Sequence, residues 1–182
     1  MTEAGGPEEP GGTARQVPGG IGRGREATGV PGRDRPWRVL FVCTGNSCRS
    51  QMAEGFGRAL GAHVAEVRSA GLEPKGLHPL AVRAMAEVGI DISHQRSKAL
   101  TEEDLRWADV VVTLCGDARD RCPVLPEGTR SHHWPLPDPA AMAGSEEEVM
   151  PVFRAVRDQV DREVRALVAT LAAGSLIGPG SR

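Results

Sequence analysis

A short segment carries cysteine, arginine and small residues in an order suited to attacking an oxyanion. Residues 43–50 read Cys-Thr-Gly-Asn-Ser-Cys-Arg-Ser and directly follow an apolar run. The backbone N–H groups of a loop between a strand and a helix converge, and the helix dipole adds positive potential. We therefore predict an oxyanion cradle whose members are Thr44, Gly45, Asn46, Ser47, Cys48 and Arg49, with Gly45 free to adopt a positive φ.

The side chains of this segment have distinct expected roles. Arg49 can supply a forked, permanently charged donor to a tetrahedral oxyanion. Cys43, at the base of the cradle, is favoured as a thiolate nucleophile, and Ser50 could donate a hydrogen bond to its sulfur. Cys48 is expected to be a buried structural residue of the loop.

A second segment, residues 115–121, has the same cysteine-to-arginine spacing and also follows an apolar run. It contains Asp117 and Asp120, which would disfavour an anion, so Cys43 is the better nucleophile. Four cysteines in a chain without a signal peptide favour a catalytic, redox or metal-binding use over static disulfides. We expect no metal, because the adjacent His132 and His133 point to opposite faces of a strand and no Cys-x-x-Cys accompanies them.

Apolar patterning predicts the elements that position these residues. Buried strands are predicted at 38–43, 64–70, 109–114 and 129–134, and helices at 49–60, 79–88, 101–108 and from 145 onward. Strands alternating with helices indicate a single α/β doubly wound domain, with a four-stranded parallel sheet flanked by helices. Its ligand should lie at the carboxyl ends of the strands.

Composition sets the limits of this domain. Residues 1–36 are rich in Gly, Pro and Arg and poor in apolar side chains, which predicts a disordered extension before a domain at 37–173 and a flexible end at 174–182. The net charge of -2 gives no reason to expect a nucleic-acid partner. No apolar run approaches the roughly 18 residues of a membrane span, so we expect a cytoplasmic protein without a membrane partner. We also expect a monomer.

The sequence resembles the thioredoxin-coupled arsenate reductases, which share the low-molecular-weight protein tyrosine phosphatase fold. The match runs in order from about residue 38 to 172. The segments that carry it are 42–54, 69–71, 88–93, 111–117, 122–123, 133–134 and 138–140.

The resemblance implies a relay of thiols acting on arsenate. Cys43 would form a covalent adduct with arsenic while Asp138 protonates the departing oxygen. Cys115 would then attack Cys43 and release arsenite, and Cys122 would attack Cys115 to leave a Cys115–Cys122 disulfide. No cofactor is expected to be bound, because reduced thioredoxin would supply the electrons. The spacing of the cysteine pair, with Gly116 inside it, is compatible with a short, weak helix.

The sequence departs from the family at one site. Some members bind potassium near the loop, at positions that match Asn46, Glu54, Ser69, Arg96 and Lys98 here. Arg96 and Lys98 replace uncharged or acidic ligands, and two cations should repel potassium and could replace its charge. We therefore predict that the protein does not depend on potassium.

Two other functions compete with this interpretation. A low-molecular-weight protein tyrosine phosphatase would use Cys43, Arg49, Ser50 and Asp138 but would have no need of Cys115 and Cys122. Such phosphatases also commonly carry an aromatic residue after the Asp-Pro pair, where this sequence has Ala140. A redox- or anion-sensing protein could use Cys115–Cys122 as a regulatory disulfide without turnover.

Overall fold

The computed structural model describes residues 31–174, which form one parallel sheet flanked by helices. The strands are β1 (Trp37–Cys43), β2 (Ala65–Gly71), β3 (Val110–Thr113) and β4 (Arg130–His133), in the spatial order β2-β1-β3-β4. All neighbouring strands pair in parallel. The carboxyl ends of β1, β2 and β3 therefore meet at one edge of the sheet, as the sequence predicted.

The helices are α1 (Arg49–Gly61), α2 (Pro79–Ala86), α3 (Glu102–Trp107), α4 (Gly116–Arg121) and α5 (Glu146–Ala172), with a short 3₁₀ turn at Pro139–Ala141. Capping boxes start α3 at Thr101 and α5 at Ser145, where the cap side chain and the third helical residue bond each other's backbone N–H. Every predicted strand and helix is present, and α4 is the short helix expected between Cys115 and Cys122. The predicted fold class is confirmed.

The core lies on both faces of the two central strands. Val39, Leu40, Phe41 and Val42 of β1 are all buried, as are the three valines of β3, Val110–Val112. Continuous apolar strands of this kind are typical of a parallel sheet covered on both faces. On one side α1 packs against β2 and α5, and α5 also packs against α2. This packing holds β1 and α1 rigidly on either side of the loop that joins them.

The end of the predicted extension contacts the domain. The guanidinium groups of Arg33 and Arg35 lie 2.9 Å and 2.7 Å from the carboxylate of Asp109, and Arg33 stacks on Trp37 at 3.6 Å. Burial opposes ionisation of Asp109, yet the two arginines and the backbone N–H of Arg38 hold its pKa below the ordinary value. The rest of the predicted extension, residues 1–30, and residues 175–182 lie outside the described residues. Within residues 31–174, no helix is both long and apolar enough to cross a membrane.

Candidate active site

The loop between β1 and α1 is held open as an anion cradle by the segment that follows β2. The N–H groups of Leu72, Glu73, Lys75 and His78 bond the carbonyl oxygens of Cys43, Thr44, Gly45 and Ser47, respectively. The carbonyls of the loop are thus fixed toward this segment. The backbone N–H groups of residues 45–48 donate to no residue in the described part of the chain. These N–H groups are available to an anion, which supports the predicted cradle.

The residue with the left-handed backbone in this loop is Asn46, with φ of +43°, and not Gly45. The expectation for Gly45 was wrong because the sharpest turn comes one residue later, where an asparagine tolerates a positive φ better than most residues do. The glycine that the loop requires is Gly71, at the end of β2. A Cβ there would lie 2.8 Å from the nitrogen of Asn46 and 2.8 Å from the carbonyl oxygen of Thr44.

Arg49 is buried beneath the loop and aimed at the cradle. One of its terminal nitrogens donates to the carbonyl oxygen of Leu136 at 3.1 Å, and the other lies 3.0 Å from Asp138 Oδ2. Its Nε is buried and has no hydrogen-bond partner among residues 31–174. A buried N–H without a partner is costly, so the arginine is organised for an acceptor such as an oxyanion.

A chain of buried side chains fixes the direction of the hydrogen bond between Ser50 and Cys43. Asn46 Oδ1 accepts hydrogen bonds from Gln51 Nε2 and from the backbone N–H of Lys98, so its amide nitrogen must face the other way. That nitrogen donates to Ser50 Oγ at 2.8 Å. The Ser50 hydroxyl is left to donate its own proton to Cys43 Sγ, 2.9 Å away. This arrangement stabilises a thiolate at Cys43.

Asp138 closes the opposite side of the site. It lines a cavity of about 280 Å³ together with Cys43, Arg49 and the loop, and Ala140 and Ala141 also contribute to the wall. Its carboxylate accepts the N–H of Ala140 at 3.1 Å, which fixes it at the start of the 3₁₀ turn. The carboxyl group is therefore placed beside the space that a bound oxyanion would occupy, where a general acid is needed.

Cys48 differs from Cys43 in its chemistry, although both cysteines are buried. Burial raises the pKa of Cys48 to about 12, and the negative charge of Asp138 acts in the same direction. Its side chain is therefore a thiol at neutral pH. Cys48 contributes to the cradle through its backbone, in agreement with the structural role expected for its side chain.

Cys115 lies against the same loop from the end of β3. Its Sγ is 3.3 Å from Thr44 Oγ1 and accepts the N–H of Ala118 at 3.3 Å, so it caps α4. Thr44 is the residue next to Cys43, and its hydroxyl also donates to Asp117 at 2.9 Å. The structure thus brings the second cysteine to the rim of the oxyanion cradle, 72 residues further along the sequence than Cys43.

Cys122 lies at the other end of α4 in a separate cavity of about 520 Å³. Its cavity is shared with Pro123, Leu125 and His133, and His133 Nδ1 is 3.0 Å from Thr113 Oγ1. Burial raises the pKa of Cys122 above the ordinary thiol value. Cys122 and the site around Cys43 therefore occupy opposite ends of one short helix.

The site matching the family's potassium position does not fit a metal ion. The Lys98 ammonium lies 3.4 Å from Glu54 Oε2 and donates to the carbonyl oxygen of Arg96 at 3.0 Å, so a cation of the protein already occupies these oxygens. Glu54 is almost fully buried and also pairs with Arg58 and accepts the Ser69 hydroxyl. Arg96 contributes only its carbonyl oxygen because its side chain is exposed. Of the two expected cations, Lys98 is the one that replaces the charge.

Sequence reasoning missed three residues of this site. The buried amide of Gln51 donates to Asn46, the buried amide of Gln95 donates to Gln51, and Lys75 lines the cavity. Gln51 lies in the segment 42–54 that carries the family resemblance, and nothing else in the sequence marked it. Nothing in the sequence marked Lys75.

Comparisons with known proteins agree with the geometry. The family described as low molecular weight phosphotyrosine protein phosphatase matches residues 38–175. An arsenate reductase of Shouchella clausii is 51% identical over 132 residues, which cover 72% of this chain and 95% of that protein. A solved arsenate reductase in a phosphate-binding state superposes with a TM-score of 0.62 at 43% identity, covering 74% of this chain and 98% of the other. A thioredoxin-dependent arsenate reductase of Corynebacterium glutamicum gives a TM-score of 0.61 at 30% identity, covering 75% of this chain and 62% of that chain.

Proposed function

The chain belongs to the low molecular weight phosphotyrosine protein phosphatase family, and within it we propose that the protein is a thioredoxin-coupled arsenate reductase. The observation that carries this proposal is the position of Cys115, whose Sγ lies 3.3 Å from Thr44 of the oxyanion loop, with Cys122 one short helix away. A phosphatase has no use for a second thiol at this place. A reductase requires one, because two electrons must reach the bound oxyanion.

The first step forms a bond between sulfur and arsenic. Arsenate binds to the free N–H groups of residues 45–48 and to Arg49, and the Cys43 thiolate attacks arsenic. An arsenic–oxygen bond breaks, and Asp138 protonates the departing oxygen, which leaves as water. Arg49 neutralises charge on the remaining oxygens. Ser50 donates a hydrogen bond to the Cys43 sulfur before the attack.

The second step transfers the electrons. The Cys115 thiolate attacks Cys43 Sγ, a sulfur–sulfur bond forms, and the electron pair of the sulfur–arsenic bond stays on arsenic. Arsenic is thereby reduced from the +5 to the +3 state and leaves as arsenite. Cys122 then attacks Cys115 and displaces the Cys43 thiolate, and a thioredoxin dithiol reduces the resulting Cys115–Cys122 disulfide.

The second disulfide requires α4 to unwind. Cys115 and Cys122 flank the six residues of α4, and seven residue steps at about 1.5 Å each place their Cα atoms about 10 Å apart. A disulfide tolerates a separation of at most about 7 Å. Opening costs little because Ala118 is the only residue of α4 with a buried side chain.

The experiment that tests this proposal couples turnover to thioredoxin. Arsenate, thioredoxin, thioredoxin reductase and NADPH are supplied, and NADPH oxidation is followed for the wild type, Cys115→Ser and Cys122→Ser. Sustained turnover is expected only in the wild type. Glu127→Gln, a change on the exposed loop that follows Cys122, is the control and should turn over normally. Unchanged turnover in either cysteine variant would contradict the relay.

Phosphatase activity is the second candidate, because the loop, Arg49 and Asp138 would serve phosphoryl transfer equally well. Hydrolysis of para-nitrophenyl phosphate without arsenate-dependent NADPH oxidation would favour it. A weak hydrolysis that survives in Cys115→Ser and Cys122→Ser, alongside arsenate turnover in the wild type, is the expected side activity of a reductase.

A further inference from the structure

The charges that line the cavity above Cys43 do not suit a doubly charged oxyanion unless a second cation takes part. With Cys43 as a thiolate, its negative charge offsets the positive charge of Arg49, the cation of the loop. The charge of Arg49 is also shared with Asp138 at 3.0 Å. With Asp138 protonated for its role as general acid, these three groups leave no net positive charge to balance a dianion. Arsenate and phosphate are partly dianionic at neutral pH.

Lys75 is the other cation in the lining of this cavity. Its backbone N–H donates to the carbonyl oxygen of Gly45 at 3.0 Å, which fixes the residue beside the loop. Its aliphatic stem lies over Gly45, because Cγ and Cδ are 3.6 Å and 3.5 Å from the position that a Gly45 Cβ would take. The stem thus packs along the loop while the charged end stays in solvent at the cavity.

The carboxylates near Lys75 are committed to other groups. Glu73, two residues earlier, pairs with Arg121 at 2.7 Å, and Asp117 accepts from Thr44 and Arg121. Lys75 forms no ion pair or side-chain hydrogen bond within residues 31–174. Its ammonium is therefore free to interact with an anion in the cavity.

We propose that Lys75 is the second cation of the oxyanion site and selects the doubly charged form of a small tetrahedral oxyanion. This inference rests on the proposed function for its substrate, but it concerns binding rather than electron transfer. With Lys75 included, the lining carries one net positive charge when Asp138 is protonated. Removing the charge should weaken oxyanion binding about fivefold to tenfold, as expected for one partly solvated charge contact.

The experiment measures oxyanion binding with and without turnover. Lys75→Met keeps the stem that packs on Gly45 and removes the charge, Lys75→Arg keeps a charge, and Arg162→Met removes an exposed cation on α5 as the control. The first readout is the KM for arsenate. The second is the concentration of inorganic phosphate that halves the rate at which iodoacetamide alkylates Cys43. The alkylation is carried out at about pH 6 and about pH 8 and is followed by peptide mass spectrometry.

At the higher pH, Lys75→Met should raise both the KM for arsenate and the phosphate concentration that halves Cys43 alkylation about fivefold to tenfold. At the lower pH both increases should be smaller. The kcat should change less than about twofold. Lys75→Arg and Arg162→Met should resemble the wild type. Wild-type values for Lys75→Met in a variant with an unchanged melting temperature would overturn the inference. Phosphate protection needs no arsenate turnover, so failure of the proposed function and failure of this inference are distinguishable.

Discussion

The unwinding of α4 in the proposed reaction can be slowed or accelerated by single substitutions that leave the active-site residues in place. Gly116 is the first residue of α4, its φ lies outside the left-handed region, and a Cβ added there meets no atom within 4 Å. Alanine therefore fits without strain. It favours the helix over the open chain by about 0.5–1 kcal/mol.

This stabilisation gives a quantitative expectation for Gly116→Ala. If α4 must open before Cys122 attacks Cys115, that step should slow about two- to fivefold. Arg119→Gly should accelerate the step by a similar factor, because the exposed Arg119 side chain bonds only that of its neighbour Asp120, and glycine has a lower helix propensity than arginine. The formation of the Cys43–Cys115 disulfide precedes the opening and should keep its rate in both variants.

The assay is a single turnover without thioredoxin. Reduced enzyme is mixed with arsenate and quenched with an alkylating reagent, and the Cys43–Cys115 and Cys115–Cys122 disulfides are quantified by mass spectrometry. The first disulfide should persist longer in Gly116→Ala and decay faster in Arg119→Gly. Decay rates that are unchanged in both variants, or that shift in the same direction, would refute the reasoning.

Three further outcomes follow from the site. Gly71→Ala should abolish activity and destabilise the fold by about 1–3 kcal/mol, because the added Cβ would collide with the backbone of the loop. Gly116→Ala is the matched glycine control. A melting temperature of Gly71→Ala equal to that of the wild type would contradict the steric argument. The melting temperature of the wild type should be the same in potassium and sodium chloride at equal ionic strength, because Lys98 already occupies the oxygens of Glu54 and Arg96. A higher melting temperature in potassium chloride would contradict this assignment of Lys98. Burial raises the pKa of Cys122, and the thiolate is the attacking form, so the decay of the Cys43–Cys115 disulfide should accelerate with pH and keep accelerating above the ordinary thiol pKa of about 8.5. A decay rate independent of pH between about 7 and 9 would be inconsistent with a buried Cys122 thiol as the attacking group.

The order of the elements and the identity of the oxyanion loop could be predicted from local sequence. The valine-rich runs of β1 and β3 can satisfy both faces only inside a parallel sheet, and the small residues between Cys43 and Arg49 suit a backbone that must surround an anion. The resemblance to a known family then implied roles for Cys115, Cys122 and Asp138. The structure places Cys115 and Asp138 beside that loop and Cys122 at the far end of α4.

The contacts that complete the site could not be predicted in this way. The sequence pointed to Gly45 as the loop residue with a left-handed backbone, whereas Asn46 adopts that conformation and Gly71 approaches it closely. The resemblance suggested two cations near Glu54, and only the structure shows that Lys98 reaches the Glu54 carboxylate, whereas Arg96 contributes its carbonyl oxygen.

The sequence by itself thus determined which residues of this protein can react, since a thiol, a guanidinium and a loop of small residues carry their chemistry wherever they lie. Tertiary structure alone decided how they are oriented and charged. It fixed the carbonyls of the loop outward, directed the Ser50 proton to Cys43 and brought Lys75 to the cavity. These features depend on hydrogen bonds and close approaches between segments far apart in the chain. The periodicity of a strand or a helix reports burial but contains no information about such partners.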